Sequence, residues 1–185
     1  MHEKQRIAID MDEVVADSLG RFLSIYAREY GERIERASLA GRHLFDAVPI
    51  ERRDAVRAFP HREEFFHDLD VIEGSVEVVR ELSERYQIFF ATAAMEYPNS
   101  FLPKYHWLHE HFPFVPWRNF IYCGDKSAVC ADFLIDDHSR NFKGFRGQGL
   151  LFSAPHNLHE DAPSRLHDWA DVARHFADRE VRWNL

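Results

Sequence analysis

The chain has 185 residues, with 31 Asp and Glu against 23 Lys and Arg, a formal net charge of -8 and 45% hydrophobic residues. That length suits one core, or one core with a small insertion, and the acidic balance disfavours a nucleic acid polymer, whose binders cluster Lys and Arg against phosphates. No apolar run nears the roughly 20 residues of a membrane span and no apolar leader opens the chain, so a cytoplasmic protein without a membrane partner is expected. A small phosphate ester, held by one or two cations and a metal, stays compatible with the charge. Cys123 and Cys130, without a CxxC pair, read as reduced core thiols.

In chain order, RIAID (6–10) is the first predicted strand, a short apolar run rich in β-formers. Leu19, Phe22, Leu23, Tyr26 and Tyr30 then form a helical stripe that Gly31 should stop, and Pro49 before IERRDAVRAF predicts a second helix. Ser75 is expected to cap a helix with Val76, Val79 and Leu82 on one face. QIFFAT (87–92) follows as a strand, then a helix over 104–112 carrying Trp107, Leu108 and Phe112. NFIYC (119–123), DFLID (132–136) and GLLFS (149–153) are further strands, and a last helix opens near Ser164 with Leu166, Trp169, Ala173 and Phe176 inward.

Strands alternating with helices imply right-handed crossovers and an α/β fold with a mainly parallel sheet covered on both faces. Residues 18–70 break the rhythm, because they carry helix signals and no convincing strand. Strand-to-helix connections usually take about 2 to 6 residues. The expected division is therefore a core of residues 1–17 and 71–185, with 18–70 a small helical cap inserted after strand one. Ligands of open α/β sheets bind at the carboxyl ends of strands, so a cap leaving from there would roof the site.

The chemistry-bearing residues fall at those strand ends. Asp10 and Asp12 follow the first strand, Thr92 the second, and Asp136 with Asp137 the run LIDD. Acids crowded on one edge repel one another, and an oxygen donor set without a His/Cys partner set favours Mg²⁺ over zinc. Two positions apart, Asp10 can attack phosphorus while Asp12 carries a proton. The metal would bridge Asp10, Asp136 and a phosphate oxygen. Thr92 offers a hydroxyl beside backbone N–H groups, and Lys104, at a helix start, a fixed positive charge.

This set resembles the haloacid dehalogenase-like phosphatases, whose motifs appear as DMDEV, ATAAME, a lysine and LIDD. Within them the chain is similar to the 5'(3')-deoxyribonucleotidases. The DMDxVxAD opening, FFxxLDVxxG, PKYHWL, CADFLIDD and FSAPHN carry that likeness from residue 5 to about 176. The resemblance implies a Rossmann-like three-layer fold and a soluble, Mg²⁺-dependent, often dimeric phosphomonoesterase acting on deoxyribonucleoside monophosphates through an aspartyl-phosphate. It assigns Asp10 as nucleophile, and Asp12 as general acid/base that also gives a carbonyl to the metal. Thr92, Ala93 and Lys104 become the phosphate-binding groups, with Lys126 in GDKS as the competing lysine, and Asp136 the second metal carboxylate. Ala93 replaces a serine of mammalian members, Glu13 stands where glycine is usual, and GRHLF (41–45) lies where those relatives have a base-stacking aromatic pair.

Asp137 reads equally as a metal ligand or as a supporting acid. His106, His109 and His111 read as a surface face, His156 as a hydrogen-bonding residue, Phe65 and Phe66 as cap core, and ERRDAVRAFPHREEF as a solvated helix face. Two alternatives accompany the leading function: the same chemistry on another small phosphate ester such as a sugar phosphate, and a non-catalytic phosphate-binding regulatory domain.

Overall fold

A computed structural model describes residues 4–183, with side chains through residue 177. Six strands form one sheet: β1 (Arg6–Ile9), β2 (Gln87–Thr92), β3 (Phe120–Tyr122), β4 (Phe133–Asp136), β5 (Gln148–Phe152) and β6 (Arg165–Leu166). They lie in the order β3-β2-β1-β4-β5-β6, every neighbouring pair parallel. Ile7, Ala8 and Ile9 are all fully buried, as unbroken apolar runs in a central parallel strand require.

Period-two alternation sorts these strands onto two faces. Ile7, Ile9, Phe90, Phe133 and Ile135 face the large core. There they meet α4 (Ser75–Arg85), α5 (Phe101–His111) and α6 (Trp169–Trp183) through Val79, Leu82, Trp107, Leu108, Val172 and Phe176. Ala8, Ala91 and Leu134 face a smaller cluster with Val129 and Phe142. Small side chains there let the turns Lys126–Ala128 and Ser139–Phe142 pack close to the sheet, so this third layer is thin.

Residues 18–70 hold α1 (Ser18–Tyr30), α2 (Leu44–Ala47), α3 (Arg53–Arg57) and several 3-10 turns, with no strand. Gly31 stops α1 as its sequence position predicts: at φ 68° it occupies the left-handed region, and its N–H donates to Ala27 O. The two ends of the segment run side by side, Asp17 N–H bonding Asp70 O and Ile72 N–H bonding Val15 O, each at 2.8 Å. Further bonds tie the segment down, among them Trp107 Nε1 to Leu69 O, Asn99 Nδ2 to Pro60 O and Arg62 O, and Gly41 N–H to Pro155 O.

Three sequence expectations are corrected. The α4 N-cap is Gly74, at φ 79°, and Ser75 is the first helical residue with its buried hydroxyl unpartnered. Leu166 lies on the edge strand β6, and the last helix begins only at Trp169, which packs on Phe152 and donates its indole N–H to Val14 O. Cys123 is half-buried and Cys130 exposed, so neither thiol is in the core. Among the described residues no helix is long and apolar enough to cross a membrane.

Candidate active site

β1 is the switch point of the sheet: its outgoing connections lead to β2 on one side, and the chain later returns as β4 on the other. Such a crevice is where open parallel sheets bind ligands. Asp10 leaves β1 with its N–H bonded to Ile135 O at 2.9 Å, Thr92 closes β2 and Asp136 closes β4, so all three strand ends meet. The turn after β1 is tight because Met11 O accepts the N–H groups of Val15 and Ala16 at 3.0 and 2.9 Å. Met11, Val14 and Val15 are fully buried, which leaves the polar Asp10, Asp12 and Glu13 to face outward.

They face a cavity of about 890 Å³. Its floor includes Asp10, Asp12, Lys104, Lys126 and Asp137, and Ala93 lies beside them. Residues 18–70 supply an aromatic wall of Phe22, Phe45, Phe65 and Phe66. Phe22 meets Phe45 and Phe65 edge-on, with ring centroids 5.8 and 4.8 Å apart. Phe65 and Phe66 are buried and also wall the cavity, and Arg42 to Phe45 of GRHLF line the cavity too.

Two buried lysines divide the acids. Lys126 Nζ lies 2.6 Å from Asp10 Oδ1 and 2.5 Å from Asp136 Oδ2. Lys104 Nζ lies 2.5 Å from Asp12 Oδ2, donates to Thr92 Oγ1 at 2.9 Å, and sits 5.0 Å from the Phe66 ring centre. Both lysines of the sequence analysis therefore stand in the site. Lys104 projects there from the first turn of α5, and Lys126 from the turn before β4.

Asp136 and Asp137 part company. Asp136 is fully buried, and its oxygens accept the His138 N–H at 2.8 Å, Asn141 Nδ2 at 2.9 and 3.0 Å, and Lys126 Nζ. It does not line the cavity; Asp137 does. Asp12, which also lines the cavity, has its Oδ1 buried without a hydrogen-bond partner.

The electrostatics follow from burial. Desolvation pushes Asp10 up to about 6; Lys126 opposes it, and Asp136 and Asp12 add to it. Desolvation, then the charges of Asp10 and Asp136, put Asp137 well above the usual carboxylate range. Burial works against the Lys126 ammonium, yet Asp10 and Asp136 outweigh it and hold its pKa above that of an ordinary lysine. Counting Glu13, five carboxyl groups gather at the strand ends around Lys104 and Lys126, with Arg42, Arg140 and Lys143 elsewhere on the cavity lining.

Glu13 is a residue whose part the sequence analysis missed. At φ 57° it occupies the left-handed region where glycine is expected. Its carboxylate accepts the Leu19 N–H at 2.6 Å and the Ser18 hydroxyl at 3.1 Å, joining the true N-cap Asp17 at the start of α1. Burial raises Glu13 to about 7, and the Leu19 N–H offsets this only in part. Its one sequence signal is the place of an acid where the motif has glycine. Phe22, His43 and His138 also line the cavity; spacing placed Phe22 on a helical stripe, and nothing in the spacing marked the two histidines.

Comparison with known proteins agrees with this geometry. The family model "5' nucleotidase, deoxy (Pyrimidine), cytosolic type C protein" matches residues 4–179. A Staphylococcus epidermidis relative is 42% identical over 173 residues, 94% of this chain and 96% of its own. The 5'(3')-deoxyribonucleotidase of Bacillus subtilis is 34% identical over 171 residues, 92% of this chain and 98% of its own. A haloacid dehalogenase-like hydrolase from Streptococcus pneumoniae shares the fold with a TM-score of 0.59 at 14% identity, covering 95% of this chain and 100% of that one. The magnesium-bound YfnB hydrolase of B. subtilis does so at 0.57 and 11% identity, covering 94% and 99%. With near full-length matches on one side and the strand-end acids on the other, the fold is the one seen in haloacid dehalogenase-like hydrolases, and the chain belongs to the 5'(3')-deoxyribonucleotidase family.

Proposed function

We propose that the chain hydrolyses deoxyribonucleoside monophosphates to nucleoside and phosphate through a phosphorylated Asp10. The observation that carries this is the pair Asp10 and Asp12 at the end of the central strand, each held by a buried lysine under a cavity with an aromatic wall. The B. subtilis relative, a 5'(3')-deoxyribonucleotidase, supports the substrate class. A base can lie against Phe22, Phe45 or Phe65, which a sugar phosphate would leave unused.

The Asp10 carboxylate attacks phosphorus, the phosphorus–oxygen ester bond breaks, and Asp12 gives its proton to the departing nucleoside oxygen. Asp12 then takes a proton from water, whose oxygen attacks the phosphorus of the acyl phosphate and releases phosphate with Asp10 restored. The Thr92 hydroxyl and the Ala93 N–H would orient the phosphoryl oxygens, and Lys104 and Lys126 would balance their charge.

Magnesium suits the donor set. Asp10, Asp136 and Asp137 present carboxylate oxygens within 4.8 Å of one another, and an all-oxygen set favours a hard cation. Because the Asp136 oxygens are engaged by Lys126, Asn141 and a main-chain N–H, we assign Asp10, the Asp12 carbonyl and Asp137 as the residues that would hold it. The ion would supply Lewis-acid stabilisation of charge on the phosphoryl group. Residues 18–70 act as the cap, since their paired ends emerge beside Asp12 and their aromatic side chains wall the cavity.

The test is phosphate release from dUMP and dTMP, with Mg²⁺ and with EDTA. Release should require Mg²⁺, and Asp10→Asn should lower it by at least about 1000-fold while the fold persists. Turnover in the Asp10→Asn protein, or none from either nucleotide with Mg²⁺, overturns the proposal.

A further inference from the structure

We propose a second metal site, for a zinc-class divalent ion, formed by His138 Nε2, His156 Nε2 and Asp137 Oδ2 in the cavity wall. His156 Nε2 lies 3.5 Å and His138 Nε2 3.8 Å from Asp137 Oδ2, and the three ligand atoms fall within 4.8 Å of one another. Tetrahedral zinc, with bonds of about 2.0–2.2 Å, spaces its ligands roughly 3.4 Å apart, so two edges of the triangle need only a few tenths of an ångström.

The surroundings favour such an ion over magnesium. Imidazole nitrogen is a borderline donor that hard cations take poorly. The His138 and His156 rings are 4.4 Å apart between centroids, and His43, from residues 18–70, stacks on His156 at 4.9 Å and 12°. That stack fixes the plane in which the His156 lone pair points. His156 Nε2 also lies 3.2 Å from Asp137 O, to which a protonated Nε2 donates; binding an ion would move the ring proton to Nδ1 and replace that hydrogen bond. All three residues border the cavity, which leaves the fourth ligand position open to water. The histidines of HWLHEH offer nothing comparable: His106 and His109 are exposed and His111 packs on Trp107.

Asp137 belongs to both sites, so an ion held by the two histidines would draw its carboxylate away from the magnesium position. Zinc-class ions should therefore inhibit the Mg²⁺-supported reaction. This consequence rests on the reading of Asp137 as a magnesium ligand; the binding itself does not.

The test is calorimetric titration of the EDTA-stripped full chain with Zn²⁺ alone, checked by the visible absorption of Co²⁺ at the same site. One ion per chain is expected. His138→Asn and His156→Asn should each weaken binding at least about tenfold, and His109→Asn should leave it unchanged. A parent chain that takes up no Zn²⁺, or a His138→Asn/His156→Asn double variant that binds as the parent does, overturns the site. In the activity arm, Zn²⁺ should inhibit phosphate release from dUMP, with at least tenfold more needed in either histidine variant. Binding without inhibition overturns the sharing of Asp137. If no nucleotide is hydrolysed, calorimetry and Co²⁺ absorption still decide the site by themselves.

Discussion

Asp136 and Asp137 are neighbours in sequence and opposite in surroundings. Successive residues at a strand end point to different sides, so one acid enters the protein beneath the cavity and the other borders it. Their removal should fail in different ways. Asp137→Asn should keep most of its stability while raising the Mg²⁺ concentration for half-maximal activity at least about tenfold. Asp136→Asn strips Lys126 of a buried partner and should destabilise the fold by roughly 3–5 kcal/mol. Urea unfolding beside a Mg²⁺ titration of activity separates them; a Mg²⁺ requirement shifted only in Asp136→Asn would return the ligand role to that residue. Glu13 shows the same scale from another side. A left-handed backbone costs a non-glycine residue about 1–2 kcal/mol, which bonds to Leu19 N–H and Ser18 offset.

Helix α5 joins two parts of the molecule because Lys104 and Trp107 are three residues apart, hence on adjoining turns of one face. Lys104 reaches the acids while Trp107 gives its indole N–H to Leu69 O, near the end of residues 18–70. Trp107→Phe keeps the apolar ring and orphans that carbonyl. It should lower unfolding free energy by about 1–3 kcal/mol, measured by urea denaturation, and a loss under about 0.3 kcal/mol would show that the bond does not anchor the segment.

Across the whole molecule, surplus negative charge couples stability to pH and to metal. Asp10 is raised from 3.8 to about 6 and Glu13 from 4.5 to about 7, so the folded chain holds these protons more tightly than the unfolded one. The stability they contribute is fully present below about pH 4 and is lost as pH rises through 6 and 7, on the order of 3 kcal/mol per group. For EDTA-treated protein the melting temperature should therefore fall between about pH 5 and pH 7.5, apart from any opposing acid loss below that window. Added Mg²⁺ should raise it more at the upper pH, where the carboxylates are charged. Equal Mg²⁺ gains at both pH values would show that the acids do not carry the ion.

The α/β class, the strands at 6–10, 87–92, 119–123 and 132–136, and the strand-end acids were legible because parallel strands buried on both faces are unbroken apolar runs, and their ends are where polar residues resume. The helix stop at Gly31 was legible for an equally local reason, a glycine at the end of an apolar stripe. Helix starts were less so, as Ser75 and Leu166 show, because a cap depends on backbone angles that several residue types can satisfy. Only the tertiary structure set Asp137 on the cavity and Asp136 beneath it, placed Lys126 on Asp10 beside Lys104 on Asp12, and brought His43, His138 and His156 together. Those outcomes turn on which way a side chain points and on contacts between residues up to 116 positions apart, from Asp10 to Lys126, and no local pattern encodes a contact at that range.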